Sequence, residues 1–395
     1  MKQLRLPIFF FATLTLLVFA CSTDVELNAP YKNTPVIFAL LDPDPNGDNV
    51  SNSLDTQWVD IDRTFMGEGD NNVYAGIFDS VEYKNEDFIK RVVQKLEKGG
   101  SNPIEEYPLI DVIRPRVTGG VFPAQNQVYY FLPPASGLSH EHDYRLLLQF
   151  RDGVEVSAVT DIVAKVGSNF CSSISYNNMI TLAQWNPSDN DVKYTTESTI
   201  QFFPPQNSVS IEVSMALKYI ENKFADESQS GTPSSEEKIF SYSLGRVERT
   251  SGTNEKLVFD ASGFFTSLKN SLIYSPNYCR EIGSYSNPEG GVTKTRCFEF
   301  KFAMSNAIFN DYINSNSLNI SVAQERPMYT NVNNGIGLFA SRSTKSIVNV
   351  PLYSAGSNGI LNLGNLDALV RAQNLLGYNF CDPNPTSDYA CPCAN

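Results

Sequence analysis

Alternating apolar and polar residues mark strands along most of the chain. In the first third, this pattern predicts strands at 36–41, 58–63, 89–96, 128–132, 145–150 and 154–159. Turn-forming residues separate them, including the Asp/Asn/Pro/Gly-rich stretch 42–55 and the dipeptide Asp152-Gly153. We therefore predict a sandwich of seven short strands over residues 32–165.

Tyr144 indicates which kind of sandwich this is. It opens the strand at 145–150 and lies six residues after Leu138. This spacing resembles the tyrosine corner of immunoglobulin-like and fibronectin-type domains, where the phenol hydroxyl bonds back to the chain ahead of it. We therefore assign Tyr144 a structural role and the first domain an immunoglobulin-like fold.

Residues 168–395 are predicted to form a second, larger β-rich domain. Strands are expected at 199–203, 209–220, 239–244, 256–259, 296–304, 318–323 and 337–341, and short helices at 261–270, 306–314 and 365–376. The two-residue repeat of a half-buried strand is clearest where Phe298, Phe300 and Phe302 alternate with polar or small residues. Long strands with few helices predict a β-barrel or β-sandwich. The fold class of the whole chain is thus all-β with a few short helices.

The N-terminus predicts export and a lipid anchor. Two basic residues precede an apolar run over 6–20, which is too short to span a bilayer and is typical of a signal peptide. The run ends in LVFAC at Cys21, which resembles the lipobox of bacterial lipoproteins. We expect cleavage before Cys21, lipid on its thiol, and residues 21–31 as a tether. Ordinary signal cleavage beside an incidental cysteine is the alternative.

The charge of the chain limits its partners. The formal net charge is −13, and removing residues 1–20 with their two basic residues makes it −15. Such an acidic surface argues against nucleic acid and anionic lipid headgroups as partners. We therefore expect membrane contact through the lipid on the N-terminal cysteine.

The cysteines predict disulfides, as in most exported proteins. Six remain after the lipid site: Cys171, Cys279, Cys297, Cys381, Cys391 and Cys393. Cys279 and Cys297 flank a Gly/Ser/Asn/Pro-rich loop and are a candidate pair, although the sequence leaves the pairing open. The three cysteines near the C-terminus are expected to pin the tail by disulfides. A zinc site is the alternative there, but Cys-Pro-Cys lacks the usual spacer.

The loop after the first strand is the candidate metal site. Asp42, Asp44, Asn46 and Asp48, with Gly47, match the start of an EF-hand calcium loop. Position 12 of that frame is Ser53, where a bidentate Glu would be needed. The alternative is a solvated turn without calcium. No other cofactor is predicted.

Catalytic motifs are sparse. The only two histidines, His140 and His142, lie just ahead of the corner tyrosine, and the sequence has no Gly-x-Ser-x-Gly elbow. A catalytic pair of carboxylates, as in glycosidases, stays an open alternative because the chain has 43 acidic residues. We therefore predict a binding protein and keep an exported hydrolase as the least favoured hypothesis.

Several motifs together resemble one family. The runs 36–41, 58–70 and 79–80, and later 329–340 and 380–381, are similar in kind and order to segments of a group of Bacteroidota lipoproteins with an N-terminal immunoglobulin-like domain. That family has no established activity to carry over. The resemblance implies an outer-membrane setting, beside a TonB-dependent transporter.

Two functions follow as expectations. The first is an accessory subunit of an outer-membrane transport or export assembly, with an outer-membrane protein as partner. The alternative is a surface glycan-binding or adhesive lipoprotein. Asp24 and Glu26 follow the lipid site and resemble the surface-export signal of such lipoproteins. We expect display on the cell surface, with the periplasmic face as the alternative.

Overall fold

The computed structural model of the protein describes residues 33–45, 55–64, 71–116, 120–174, 180–250, 254–282, 298–317, 329–350, 354–355, 361–362, 364–382 and 390–391. This part of the chain is mostly β-strand with five short α-helices, which confirms the predicted fold class. Each of its helices is too short or too polar to span a bilayer. Outside the described residues lie the predicted sites Cys21, Asn46, Asp48, Cys297 and Cys393, and the predicted strand at 318–323.

The first domain is a sandwich of two sheets. Its strands are β1 (Pro35–Leu41), β2 (Gln57–Arg63), β3 (Phe88–Glu97), β4 (Pro103–Pro108), β5 (Ile110–Pro115), β6 (Gln125–Phe131), β7 (His142–Phe150) and β8 (Glu155–Asp161). One sheet has the order β5-β6-β2-β1 and the other β4-β3-β7-β8. Assigned in chain order to immunoglobulin strands, these are the ABED sheet and the CFG sheet with an added C′ strand.

Seven strands were predicted and six of them were located, whereas the structure has eight; the two that were not located are β4 and β5. Both strands lie at sheet edges, and most of their residues are exposed on both faces. They therefore lack the alternation by which a half-buried strand is recognised. Two helices, α1 (Asn71–Ala75) and α2 (Phe78–Val81), and a 3₁₀ turn (Asn85–Asp87) join β2 to β3.

Alternation fixes which face of each central strand is buried. Ile37 and Ala39 of β1 and Val59 and Ile61 of β2 are at most 1% exposed, and they pack against the opposite sheet through residues such as Leu146. Successive side chains of a strand point to opposite faces. The even-numbered residues of β1 and β2 are therefore directed outward, away from the core.

Tyr144 lies at the start of β7 and is fully buried. The backbone N–H of Ser139 donates to its hydroxyl oxygen over 3.1 Å. This bond ties the preceding loop to β7, the arrangement that defines a tyrosine corner. Burial raises the pKa of the phenol, so the hydroxyl stays neutral at physiological pH.

Two strands from the last third of the chain complete the sandwich. β17 (Val332–Asn333) pairs with β8, and β18 (Ile336–Val350) pairs in parallel with β1. Val332 and Phe339 are buried in the first core. Residues 32–165 alone therefore lack one strand in each sheet.

Gly337 makes the parallel pairing possible. Its φ is +116°, and a Cβ at this position would lie 1.9 Å from the carbonyl oxygen of Ile37. Any side chain would therefore force β18 away from β1. The sequence Gly335-Ile-Gly337 therefore marks a close approach of two strands.

The second domain is built around one long strand. Its strands, besides the second half of β18, are β9 (Ala183–Asn186), β10 (Asp191–Tyr194), β11 (Ser198–Phe202), β12 (Ser210–Lys223), β13 (Ser234–Glu248), β14 (Glu255–Phe259), β15 (Tyr278–Ile282), β16 (Phe298–Ser305), β19 (Ser354–Ala355), β20 (Leu361–Asn362) and β21 (Phe380–Cys381). β12 pairs with β13 along one edge and with β16 and β15 along the other. β16 pairs with β18, so a single ten-stranded sheet runs through both domains.

The core of the second domain lies on one face of this sheet. Phe298, Phe300 and Phe302 are fully buried, as their spacing predicts. They pack in the same cluster as α3 (Ala261–Ser271), whose N-cap Asp260 accepts a hydrogen bond from the Ser262 backbone. Two further helices are α4 (Ala307–Ser317) and α5 (Gly364–Val370). A β-barrel and a β-sandwich were both predicted for this domain. The described strands form open sheets and close no barrel.

Three cysteines meet at the C-terminal edge of the sheet. Cys381 and Cys391 form a disulfide that pins residues 390–391 to β21. The Cys279 sulfur lies 3.4 Å from that of Cys381, and Cys279 is itself disulfide-bonded. The three sulfurs are close enough to suggest a metal site. Because zinc binds thiolates, their oxidation to disulfides disfavours the zinc alternative.

Cys171 corrects the expectation that every remaining cysteine is a disulfide candidate. It is a free thiol that packs against the core of the second domain. Its backbone forms an isolated bridge to Phe202. Among the described residues it has no disulfide partner, and its Sγ lies 3.6 Å from the Ser173 hydroxyl oxygen.

Candidate ligand-binding site

The outward side chains of β1 and β2 bring exposed aromatic rings and carboxylates together. Phe38 of β1 pairs in register with Asp60 of β2, and Val36 pairs with Asp62. Phe38 is 43% exposed and Trp58 is 39% exposed. Large exposed aromatics beside carboxylates are typical of binding surfaces. We call this surface the outer face.

One depression in the outer face lies around Trp58 and is called the Trp58 groove. Its volume is about 330 Å³. It is lined by aromatic, acidic and basic side chains together: Phe38, Ala39, Leu40, Asp42, Pro45, Thr56, Gln57, Trp58, Asp60 and Arg342. The groove thus offers two apolar rings and several charged hydrogen-bonding groups to a ligand.

Neighbouring side chains hold the two rings in place. The Trp58 ring lies 5.4 Å from that of Tyr130, and the Arg114 guanidinium lies 4.2 Å from the Trp58 ring centroid. Phe38 meets Tyr312 of α4 edge to face, with centroids 6.3 Å apart. A ligand that binds here finds a surface already ordered, which lowers the entropy cost of binding.

Asp42 forms the upper end of the groove and is the first residue of the candidate calcium loop. One oxygen, Oδ1, accepts from the backbone N–H of Asp44, and Oδ2 accepts from the Thr344 hydroxyl over 3.2 Å. Arg342 Nε lies 3.7 Å from Oδ2. Burial raises the pKa of Asp42 to about 6, against the opposing effect of these donors.

The calcium loop itself stays a prediction. Asp44 is fully buried and lies 3.8 Å from Lys165 Nζ, so it already has a cationic neighbour. An Asp carboxylate that accepts from the backbone two residues on also forms an ordinary Asx turn. Both observations fit the alternative of a turn without calcium, while Asn46 and Asp48 lie outside the described residues.

A second depression lies at the lower end of the outer face and is called the Glu82 pocket. Its volume is about 380 Å³, and it is lined by Val36, Asp62, Arg63, Thr64, Val81, Arg116 and Phe122. Glu82 does not line the pocket, but its backbone forms a bridge to that of Asp62, and it is only 1% exposed. The pocket itself combines apolar side chains with one acid and two arginines.

The acids of this pocket have few hydrogen-bond donors. Asp62 Oδ1 is buried without a hydrogen-bond partner, and the Glu82 carboxylate interacts with one backbone donor, that of Gln127. The nearest cation is Arg116, whose Nη2 lies 3.5 Å from Glu82 Oε1. That guanidinium also donates to Asn126 and lies over the Phe122 ring.

Burial and mutual repulsion raise the pKa values of these acids. Burial, followed by repulsion from Asp62, raises the pKa of Glu82 from 4.5 to about 7, against the attraction of Arg116 and a hydrogen bond from the Gln127 backbone. Burial and repulsion from Asp60 raise the pKa of Asp62 from 3.8 to about 6. Burial also raises the pKa of Asp60. Such shifts concentrate at functional sites, although structural clusters also produce them.

The sequence singled out little of this surface. Its alternation placed Trp58, Asp60 and Asp62 on one face of a strand, which was the available signal. Glu82 and Arg116 come from segments 20 or more residues away and carry no motif. Only the fold brings them beside Asp62, because Glu82 bridges to β2 and Arg116 follows β5.

Comparison with known proteins adds no family assignment. No protein-family model matches the chain, and no curated protein is detectably similar to it.

Proposed function

We propose that this chain is a lipid-anchored binding protein of the cell envelope that recognises a glycan in the Trp58 groove. The observation that supports this proposal is the exposure of Phe38 and Trp58 on either side of Asp60. A sugar ring presents apolar C–H groups that pack on aromatic rings. Its hydroxyls hydrogen-bond to carboxylates and guanidinium groups, which Asp60, Asp42 and Arg342 supply.

The anchor part of the proposal rests on the sequence. Lipidation of Cys21 would hold the folded protein at the outer membrane. We propose the cell-surface side because Asp24 and Glu26 resemble an export signal. Acylated peptides carry a characteristic mass, so mass spectrometry of the mature protein tests this point. Mature protein without fatty acid at Cys21 would refute the anchor.

Membership of a transport assembly is proposed on the family resemblance alone. Its test is affinity purification from detergent-solubilised membranes under mild conditions. Recovery of a barrel transporter in stoichiometric amount supports an accessory subunit. Recovery of the lone chain argues against it and leaves glycan binding as the favoured function.

A glycan array with the mature chain tests recognition in the groove. We expect binding to a defined set of glycans, lost in Trp58→Ala and reduced at least tenfold in Asp60→Asn. The control is Phe203→Ala, because Phe203 is 45% exposed but lies outside the groove. Binding that survives Trp58→Ala, or an array without any hit, would contradict the proposal.

Glycoside hydrolysis is a second candidate, favoured by one observation. Asp60, Asp62 and Glu82 lie close together with raised pKa values, and a glycosidase needs one acid that stays protonated near neutral pH. Glu82, however, is almost inaccessible to a substrate. We therefore place binding first. New reducing ends released from an array-positive glycan, and none with Glu82→Gln, would reverse this order.

A further inference from the structure

Aromatic rings continue the Trp58 groove on both sides, across three strands and one helix. The sheet order is β6-β2-β1-β18, and α4 packs on β18. The ring of Tyr130 on β6 lies 5.4 Å from that of Trp58 on β2. The ring of Tyr312 on α4 lies 6.3 Å from that of Phe38 on β1. The order of the elements therefore places these four rings one after another across the outer face, and we call them the aromatic row.

The aromatic row is longer than one sugar ring. Neighbouring strands lie about 4.8 Å apart, so Tyr130 and Phe38, which are two strands apart, are separated by about 10 Å across the sheet. Tyr312 adds a further 6.3 Å between ring centroids. All four rings are partly exposed. A single sugar covers only part of such a surface, whereas a chain of sugars laid across the strands can contact every ring.

The acids beside the aromatic row have arginines as neighbours, although the chain as a whole is acidic. Arg342 Nε lies 3.7 Å from Asp42 Oδ2. The Asp60 carboxylate is attracted by Arg114, whose guanidinium lies 4.2 Å from the Trp58 ring centroid. Little net charge is left to select a charged sugar. The same side chains offer both donors and acceptors to hydroxyl groups, which suits a neutral one.

We propose that the outer face binds a neutral, linear glycan several sugars long, which crosses β6, β2 and β1 and reaches α4. This inference rests on the proposed function and adds the length and the charge class of the ligand. One sugar packs on Tyr130 and Trp58, the next lies in the groove beside Asp60, and a third packs on Phe38 and Tyr312. The C–H groups of each sugar pack on a ring, while its hydroxyls hydrogen-bond to the charged side chains between the rings.

Tyr312 is the residue that distinguishes a bound chain from a single bound sugar. It lies far from Phe38 in the sequence and does not line the Trp58 groove. Its ring packs against those of Phe309 and Tyr329, with centroids 6.4 Å and 6.2 Å away. A sugar confined to the groove gains nothing from this ring. A chain that extends past Phe38 gains one more stacking contact.

Calorimetric titration of the full mature chain with neutral oligosaccharides of two and six units tests the inference. The probes are 1,4-linked oligosaccharides of glucose, mannose, xylose and N-acetylglucosamine. We expect at least one series to bind, with the six-unit member at least tenfold tighter than the two-unit member. Tyr312→Ala should remove this gain and leave the two-unit affinity within twofold. Tyr312→Phe should keep the gain, because it keeps the ring.

Two controls complete the test. Tyr274→Ala, which removes a 68% exposed ring outside the aromatic row, should change neither affinity. A six-unit chain of galacturonic acid should bind at least tenfold more weakly than the best neutral chain.

Four results would overturn the inference: equal affinity of the two- and six-unit members, a gain that survives Tyr312→Ala, tighter binding of the acidic chain, or no binding of any series. Binding of a two-unit sugar that is lost in Trp58→Ala supports the proposed function even where the gain with length is absent, so the two failures are distinguishable.

Discussion

At the scale of single residues, the main feature is a cluster of acids whose burial lowers the stability of the fold. Glu82 is 1% exposed, and burial together with the neighbouring Asp62 raises the pKa of its carboxyl to about 7. A glutamine of the same shape would fit without charge repulsion from Asp62. Residues that destabilise the fold in this way are commonly kept for function.

The raised pKa of Glu82 predicts a pH-dependent effect of Glu82→Gln. A carboxyl whose folded pKa lies above its unfolded value stabilises the fold fully below the unfolded value, here 4.5, and this contribution is lost as the pH rises through about 7. Glutamine stays neutral throughout. We expect the variant to exceed wild type in unfolding free energy by about 1–3 kcal/mol at pH 8.

Urea denaturation at pH 8 and pH 4.5 measures this difference. The advantage of Glu82→Gln should shrink toward zero at pH 4.5, where Glu82 is protonated. Glu86→Gln, at an exposed position, should change little at either pH. A variant that is less stable than wild type at pH 8 would show that the Glu82 carboxylate is stabilised by its surroundings.

At the scale of elements, one strand joins the two domains. Residues 336–341 of β18 pair with β1 in the first domain, and residues 342–350 pair with β16 in the second. Together with β17, this strand covers the edges that β1 and β8 would otherwise expose. Exposed strand edges invite pairing with other chains, so covering them also protects against aggregation.

Gly337→Ala tests this junction. The new Cβ would clash with the Ile37 carbonyl and occupy a left-handed backbone region, so we expect a loss of roughly 3 kcal/mol or more. Gly153→Ala is the control, because its φ is also positive but open space surrounds it. Thermal unfolding should show a clearly larger decrease for Gly337→Ala. Equal decreases in melting temperature for the two variants would mean that a side chain at position 337 does not strain the β1–β18 pairing.

The sequence predicted elements well where one face of a strand is buried. The alternating phenylalanines of β16 and the capped helix α3 are examples. It missed β4 and β5, whose residues are mostly exposed, because alternation is a signal of burial. It also placed β18 as a short strand of the second domain, since long-range parallel pairing leaves no local pattern. The Glu82 pocket was missed for the same reason: its acids meet only through the fold.

At the scale of the whole molecule, the domains share a sheet and are expected to unfold together. The first core needs Val332 and Phe339, which lie more than 160 residues after β8. Loss of order in β18 would therefore expose both cores. Cooperative unfolding of this kind gives coincident transitions by different probes.

Calorimetry of the mature chain tests this expectation. We predict one main thermal transition, and we predict that a fragment of residues 33–165 lacks the near-UV circular dichroism of a packed core. Two well-separated transitions, or a folded fragment with a similar melting temperature, would show that the first sandwich is stable without β17 and β18.

The most direct test of the proposed function uses the two tryptophans of the chain, Trp58 and Trp185. In a Trp185→Phe variant, all tryptophan fluorescence comes from the groove. We predict that a glycan bound on the array shifts or quenches this emission saturably, with the dissociation constant of wild type. Glycan binding at wild-type affinity with unchanged Trp58 emission would place the ligand elsewhere and contradict the account.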